Sequence, residues 1–221
     1  MRLLLFGATG RTGRHLTALA AQAGVSVHAT GRNLARLAAF GTSISYSPAD
    51  ISDADAVEAL VRAVAPKAII SLVGGTLGSN FIDGVGNVAI ANAARNAGVR
   101  RLVQVSSLGC GESRRYASQK LLAAIGDVLD AKTQAEEHLR SLDLDWTIIR
   151  PGGLGDGDPT GGGRLYDDAR IHGRIARADL AGLIFACLVA QNTIRKTLSA
   201  VDRATLSGPP DPHEYVLVSV A

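Results

Sequence analysis

Residues 3–13 run Leu3-Leu4-Leu5-Phe6-Gly7-Ala8-Thr9-Gly10-Arg11-Thr12-Gly13, and no other stretch constrains the fold as strongly. The apolar run is long enough for one buried strand. Leu16, Leu19, Ala20 and Ala23 then recur on one helical face, and Gly24 stands where a helix ends on a left-handed glycine. Strand, glycine turn and helix in that order are what a dinucleotide-binding fingerprint requires. Gly7 would permit the sharp turn, Gly10 the approach of the backbone to a pyrophosphate, and Gly13 close packing of helix on strand. Free N–H groups and the positive end of the helix dipole would then hold the phosphates. The spacing is GxxGxxG rather than GxGxxG.

The βα alternation continues along the chain. Val25, Val27 and Ala29 lead to Gly31 as a second strand, and Ile44 with Tyr46 marks a short third. Ser52 or Asp53 can cap a helix that ends before Pro66. Residues 68–73 form a fourth strand without polar alternation, as in a parallel sheet covered on both faces. A helix from about Asn80 to Gly98, a strand over 102–107, a helix from about Leu121 to Leu142 and a strand over 146–150 follow. A glycine-rich loop spans Pro151 to Gly163, and its composition fits a lid or a plain surface loop. Asp179 to Ala190 reads as a helix, Thr197 to Val201 as a strand, and Tyr215 to Val220 as a further strand in the weakly patterned tail over 205–221. Short joins between regular units predict a single α/β domain over 1–221, a doubly wound Rossmann fold with a mostly parallel sheet. Its ligand would lie at the carboxyl ends of the strands, where their order reverses.

Composition narrows the function by exclusion. A hydrophobic content of 47% and a charged content of 19% are those of a soluble globular protein. The net charge of +3, with no basic block interleaved with aromatics, argues against nucleic acid as a partner. No apolar run reaches membrane-spanning length, and the first residues already read as a strand, so neither a membrane role nor a signal peptide is expected. Cys110 and Cys187 are isolated and fit reduced thiols in a cytoplasmic protein. The five histidines lack metal-ligand spacing, and no metal site is expected.

Several motifs in order resemble the atypical short-chain dehydrogenase/reductases, with the flavin/biliverdin-IXβ reductases and the nitrogen-metabolite-repression regulators as the nearest types. Gly7 to Gly13 is similar to that family's GATGxxG turn, which accounts for the altered spacing. Asp83, Gly86 and Asn87, ahead of Ala93-Ala94 and Ala97-Gly98-Val99, resemble its central helix. Val105-Ser106-Ser107 resembles its strand-end serines, and Lys132, Glu136, Leu139 and Thr147 to Gly153 its Lys…Glu…TIxRPGG run. Arg177-Ala178-Asp179-Leu180-Ala181 is similar to the start of its closing helix. The resemblance spans about residues 2–202 and implies an NAD(P)H-binding fold.

Candidate site residues follow from both sources. Thr9, Arg11 and Thr12 lie in the phosphate turn with its three glycines. Arg32 follows the second strand, where an NAD enzyme offers a carboxylate, and no Asp or Glu lies between Gly13 and Asp50. A guanidinium suits a 2′-phosphate, which favours NADP(H) over NAD(H); Arg36, one turn on, would assist. Asp50 would accept from the adenine amino group or cap the next helix, with Ile51 against the ring. Val73, Gly74 and Gly75 offer bare backbone along the second half of the cofactor, and Ser106, Pro151 and Gly152 border its nicotinamide end. Ser107 would orient a substrate oxygen.

A Tyr-x-x-x-Lys pair, in which a phenol transfers a proton while the ammonium anchors the ribose, has two placements. Tyr116 and Lys120 match the letters. Lys132, shortly ahead of the TIxRPGG strand, matches the family's position, and the partner position is then Val128, which transfers no proton. We favour Lys132, with Tyr116/Lys120 as its rival. The resulting expectation is an NADPH-dependent oxidoreductase acting on a small planar conjugated acceptor such as a flavin, quinone or tetrapyrrole. A non-catalytic NADP(H)-binding redox sensor and a sugar-nucleotide epimerase or dehydratase are the alternatives. The oligomeric state is not legible.

Overall fold

In the computed structural model, which describes residues 1–77 and 80–218, the βα units form one eight-stranded sheet. β1 (Arg2–Phe6) leads through the glycine turn into α1 (Arg11–Gln22), then β2 (Ser26–Gly31), a short α2 (Leu34–Ala38), β3 (Ser45–Pro48) and α3 (Ala54–Val64). After β4 (Ala68–Ser71) come a small hairpin of β5 (Thr76–Leu77) and β6 (Asn80–Phe81), α4 (Ile82–Asn96) and β7 (Arg101–Val105). A 3₁₀ turn at Gly111–Tyr116 precedes α5 (Gln119–Ser141) and β8 (Asp145–Pro151). The chain closes with β9 (Gly153–Gly155), β10 (Gly163–Tyr166), β11 (Arg174–Ala176), α6 (Arg177–Val189) and β12 (Lys196–Asp202).

The strands lie in the order β3-β2-β1-β4-β7-β8-β12-β10, and all neighbours are parallel except β10 on β12. This is the doubly wound Rossmann arrangement that the alternating pattern implies. The order reverses between β1 and β4, so the loops leaving these two strands diverge and open a crevice. β1 shows why the sheet strands carry no polar alternation. Leu3 and Leu5 face Leu16 and Ala20 of α1 and Leu180 and Ile184 of α6, whereas Leu4 and Phe6 face Val57 and Val61 of α3 and Ile90 and Ala94 of α4. All four β1 side chains are fully buried, and truncating any one to alanine would cost about 2–5 kcal/mol.

Besides the unexpected α2, β10 and β11, the placement of Asn80 in β6 rather than in a helix, and small shifts of element ends, three departures from the sequence pattern stand out. No strand forms at Tyr215 among the described residues, and 219–220 lie outside them. Tyr215 N–H donates to the Leu165 carbonyl at 2.7 Å. Beyond it the Asn192 side chain, which donates to the Val216 carbonyl and accepts from Val218 N–H, stands in for a ladder partner. The glycine-rich segment after β8 is partly ordered by backbone pairing, because β9 lies parallel to β11. α5 begins two residues earlier than expected, where the Ser118 side chain accepts from Leu121 N–H, and it is interrupted at Ile125 (φ −141°, ψ 21°).

Candidate active site

The glycine turn has the geometry its spacing calls for. Gly7 has φ +82°, and a Cβ there would stand 3.0 Å from the Leu72 carbonyl oxygen. A Cβ on Gly13 would overlap the carbonyls of Gly7 and Ala8, so the helix can seat on the turn only with glycine at this position. Gly10 is the N-cap of α1 and donates its N–H to the Gly7 carbonyl at 3.0 Å. No side chain caps α1, and no acidic residue lies in its first turn. The helix therefore presents unpaired N–H groups and its positive dipole end to the crevice.

Two clefts share Gly7, Gly10, Leu72, Val73 and Gly74 and form one groove across the switch point. The first, of about 310 Å³, is lined by Arg11, Thr12 and Gly13 on one side and by Ser106, Ser107, Lys132, Pro151 and Gly152 on the other. The second, of about 300 Å³, is lined by Thr9, Gly31, Arg32, Arg36 and Ile51. Among the expected site residues, three do not line this groove. Asp50 is exposed, and its Oδ1 accepts from the backbone N–H and hydroxyl of Ser52 at 3.0 and 2.7 Å. The Ser52 hydroxyl and then its N–H hold the Asp50 carboxyl below the ordinary carboxylate range, while Asp53 is the cap of α3. Gly75 has φ +125° and donates its N–H to Asp83 Oδ2 at 2.7 Å.

Tyr116 requires the larger correction. It closes the 3₁₀ turn, Ala117 after it is extended (φ −70°, ψ 140°), and α5 starts only at Gln119. Tyr116 and Lys120 thus share no helix face, the arrangement that their spacing was expected to provide. The Tyr116 ring lies under the Arg115 guanidinium, 4.8 Å from its centroid, and lines a separate cleft with Leu108, Leu121 and His172.

Lys132 does reach the groove, with a side chain 13% exposed and Nζ 2.6 Å from Asp83 Oδ1. Val128, the position where a tyrosine would pair with it, does not line the groove. Ser107 donates its hydroxyl to the Leu108 carbonyl at 2.9 Å. The buried Ser106 hydroxyl meets no partner beyond the Cys110 thiol. At the other end the Thr30 hydroxyl, also buried on the groove wall, has none. The uncapped helix end, the glycine cradle and these unsatisfied hydroxyls fit an extended dinucleotide. Among the described residues no cluster of His, Cys, Asp or Glu could hold a metal ion, and no helix is long and apolar enough to cross a membrane.

Three features escape a reading of the sequence. Asp83, recognisable there only as part of a helix motif, is the partner of Lys132. Arg177 lines the groove, and Asp156 bridges it to Arg11 at 2.7 and 2.5 Å. Arg150 is buried, and its Nε donates to Glu136 at 3.0 Å, with Glu112 3.0 Å from another guanidinium nitrogen. Burial works against the Arg150 charge, yet hydrogen bonds and charge from Glu136 and Glu112 outweigh it and raise its pKa. Burial pushes the Cys110 thiol up and the Cys187 thiol up to about 12, so neither is a poised nucleophile.

Comparison with known proteins agrees with this geometry. The NAD(P)H-binding family profile matches residues 7–191, and the chain belongs to that family as an atypical short-chain dehydrogenase/reductase. The structure of ChuY, an anaerobilin reductase from Escherichia coli O157:H7, is similar at a TM-score of 0.84 and 32% identity, over 92% of this chain and 98% of that one. An uncharacterized chloroplastic protein of Arabidopsis thaliana is 28% identical over 92% of this chain and 77% of its own length. The uncharacterized sugar epimerase YhfK of Bacillus subtilis is 30% identical over 57% of this chain and 56% of its own.

Proposed function

We propose that the protein is an NADPH-dependent reductase of planar conjugated acceptors, with a linear tetrapyrrole as the leading substrate class. The carrying observation is the hydride end of the groove. It offers Ser107, Lys132 and the bare backbone of Gly152, and no tyrosine or histidine lines it among the described residues. Such a site can orient an acceptor but has no side chain of the usual carbonyl-reducing kind to protonate an alkoxide. Hydride transfer to an electron-poor conjugated system can be followed by protonation from solvent. The similarity to ChuY, an anaerobilin reductase, supports the tetrapyrrole class.

NADPH, when bound, supplies the hydride. The first turn of α1 would hold the pyrophosphate, Lys132 the ribose hydroxyls and Ser107 an acceptor heteroatom. Arg32 and Arg36 favour the 2′-phosphate of NADP(H), because no carboxylate lines their part of the groove. The test is NADPH consumption against flavin, quinone, tetrapyrrole, carbonyl and sugar-nucleotide substrates. Turnover with a conjugated acceptor is expected, and Tyr116→Phe should leave it within about twofold, whereas loss of a general acid would cost about a hundredfold. Tight NADPH binding without turnover would establish the sensor instead. Activity confined to carbonyl or sugar-nucleotide substrates would establish the epimerase-type reading.

A further inference from the structure

We propose that Asp83 is a positioning residue of this groove: it aims the Lys132 ammonium at the nicotinamide-ribose position and fixes the Gly74–Gly75 turn beside it. The inference rests on the NAD(P)H reading above. Asp83 stands in the first turn of α4 and is 1% exposed, a degree of burial that an aspartate tolerates only when paired. Its two oxygens have separate tasks. Oδ1 lies 2.6 Å from Lys132 Nζ on α5, and Oδ2 accepts the Gly75 N–H at 2.7 Å. One carboxylate thus ties α4, α5 and the segment after β4 together at the groove wall. The pair sits directly beneath bare backbone, since a Cβ on Gly74 would come 3.1 Å from Asp83 Oδ1 and 3.6 Å from Lys132 Nζ.

Asp83 is itself held. Its backbone carbonyl accepts from Asn87 Nδ2 at 2.7 Å, and Asn87 Oδ1 accepts from the Ser71 hydroxyl at 2.6 Å, at the end of β4. The position of the carboxylate is therefore referred back to the sheet. Lys132 carries its charge on a flexible four-carbon stem and would sample several directions without a fixed counter-charge. The other buried carboxylate nearby, Glu136, is committed to Arg150. Asp83 Oδ1 accepts no hydrogen bond among the described residues, so its hold on Lys132 is an ion pair, and the three N–H donors of the ammonium are available for the hydroxyl oxygens of a ribose. A buried ion pair is a weak source of net stability, but at a cleft wall it fixes the direction of a charge.

The experiment measures binding of NADP⁺ and of 2′,5′-ADP, which lacks the nicotinamide ribose, to the wild type, Asp83→Asn, Asp83→Glu, Lys132→Met and the Asp83→Asn/Lys132→Met double variant. Asp83→Asn should weaken NADP⁺ about tenfold, the scale of one misdirected charge-assisted hydrogen bond, and leave 2′,5′-ADP within about twofold. In the Lys132→Met background the same change should have no further effect on NADP⁺, because an asparagine oxygen can still accept the Gly75 N–H and the remaining role of Asp83 runs through the lysine. Asp83→Glu should restore part of the affinity. The double variant buries neither charge, so it keeps the comparison available if a single variant folds poorly. The positioning role is overturned if Asp83→Asn leaves NADP⁺ unchanged, weakens both ligands equally, or stays additive with Lys132→Met. A wild type that binds neither nucleotide would overturn the cofactor reading, and this inference with it.

Discussion

Replacing Glu136 by leucine should destabilise the protein sharply without touching the groove. Glu136 is fully buried, and the Arg150 guanidinium that it holds is 2% exposed. Removing the carboxylate leaves a desolvated cation, a change that costs about 3–5 kcal/mol in buried pairs. Glu112 remains 3.0 Å from the guanidinium, but its side chain is 49% exposed, so it offsets only about 1 kcal/mol. The guanidinium has little freedom to turn away: Gly111 has φ +49°, and a Cβ there would already overlap it. We therefore expect a loss of about 3 kcal/mol, seen as a lower urea midpoint at unchanged slope and a Tm drop of roughly 6–12 °C for a chain of this size. Glu136→Leu/Arg150→Met, which removes both charges at similar volume, should recover most of that loss. NADPH affinity at a temperature where the variant is folded should stay within about twofold, because neither side chain lines the groove. A loss below about 1 kcal/mol, or a double variant as unstable as the single one, would refute the stranded-charge argument.

Gly10→Val should keep the fold, since Gly10 has φ −69° and ψ 167°, open to any residue, and its Cβ meets only the Gly7 carbonyl at 3.2 Å. The branched methyl groups would project where the phosphates approach, so cofactor titration should show binding abolished while circular dichroism is unchanged. Arg32→Ala should weaken NADP(H) by more than about tenfold and NAD(H) little; equal shifts for both cofactors would remove the 2′-phosphate assignment. His28 is held below its ordinary value by burial and then by Arg2. The unfolded chain takes up that proton first, so stability should fall as pH drops through about 6.5. His28→Gln should flatten that part of a urea-midpoint profile measured against pH.

What the sequence discloses and what it hides divide along a physical line. The strand–turn–helix start, the parallel sheet and most groove-lining positions were legible because each depends on local spacing. Gly13 abuts carbonyls only a few residues away, and a helix period needs one helix alone. Pairings across the fold were not legible. Asp156 meets Arg11 across 145 positions, and nothing local in the Gly155-Asp156-Gly157 segment marks it as their bridge. The same holds for Asp83 and Lys132, which come together only because α4 packs on α5. The Tyr116/Lys120 spacing misled for the converse reason. Four positions define one helix face only inside a helix, and the Ser118 cap places the helix start between the two residues.

These pairings also bear on how the groove distributes its charge. The chain as a whole is only slightly basic, with a net charge of +3, so attraction for an anionic ligand must come from local arrangement. At the Lys132 end most of the charge is paired: Lys132 with Asp83, while Arg11 and Arg177 share the one carboxylate of Asp156, leaving a single positive charge over. At the opposite end Arg32 and Arg36 line the groove and form no ion pair among the described residues. A guanidinium is easily left in water, so two of them on one wall would mean little by themselves. Their position beside the end of β2, together with the buried and unpartnered Thr30 hydroxyl, gives them a direction. An anion entering there meets two guanidiniums in no ion pair, with only the longer-range charge of Asp50 acting on Arg32, whereas at the Lys132 end the cations are already held by carboxylates. On the function proposed above, that asymmetry would suit a cofactor whose extra negative charge lies on its adenosine half, and an acceptor recognised at the other end mainly by shape and stacking.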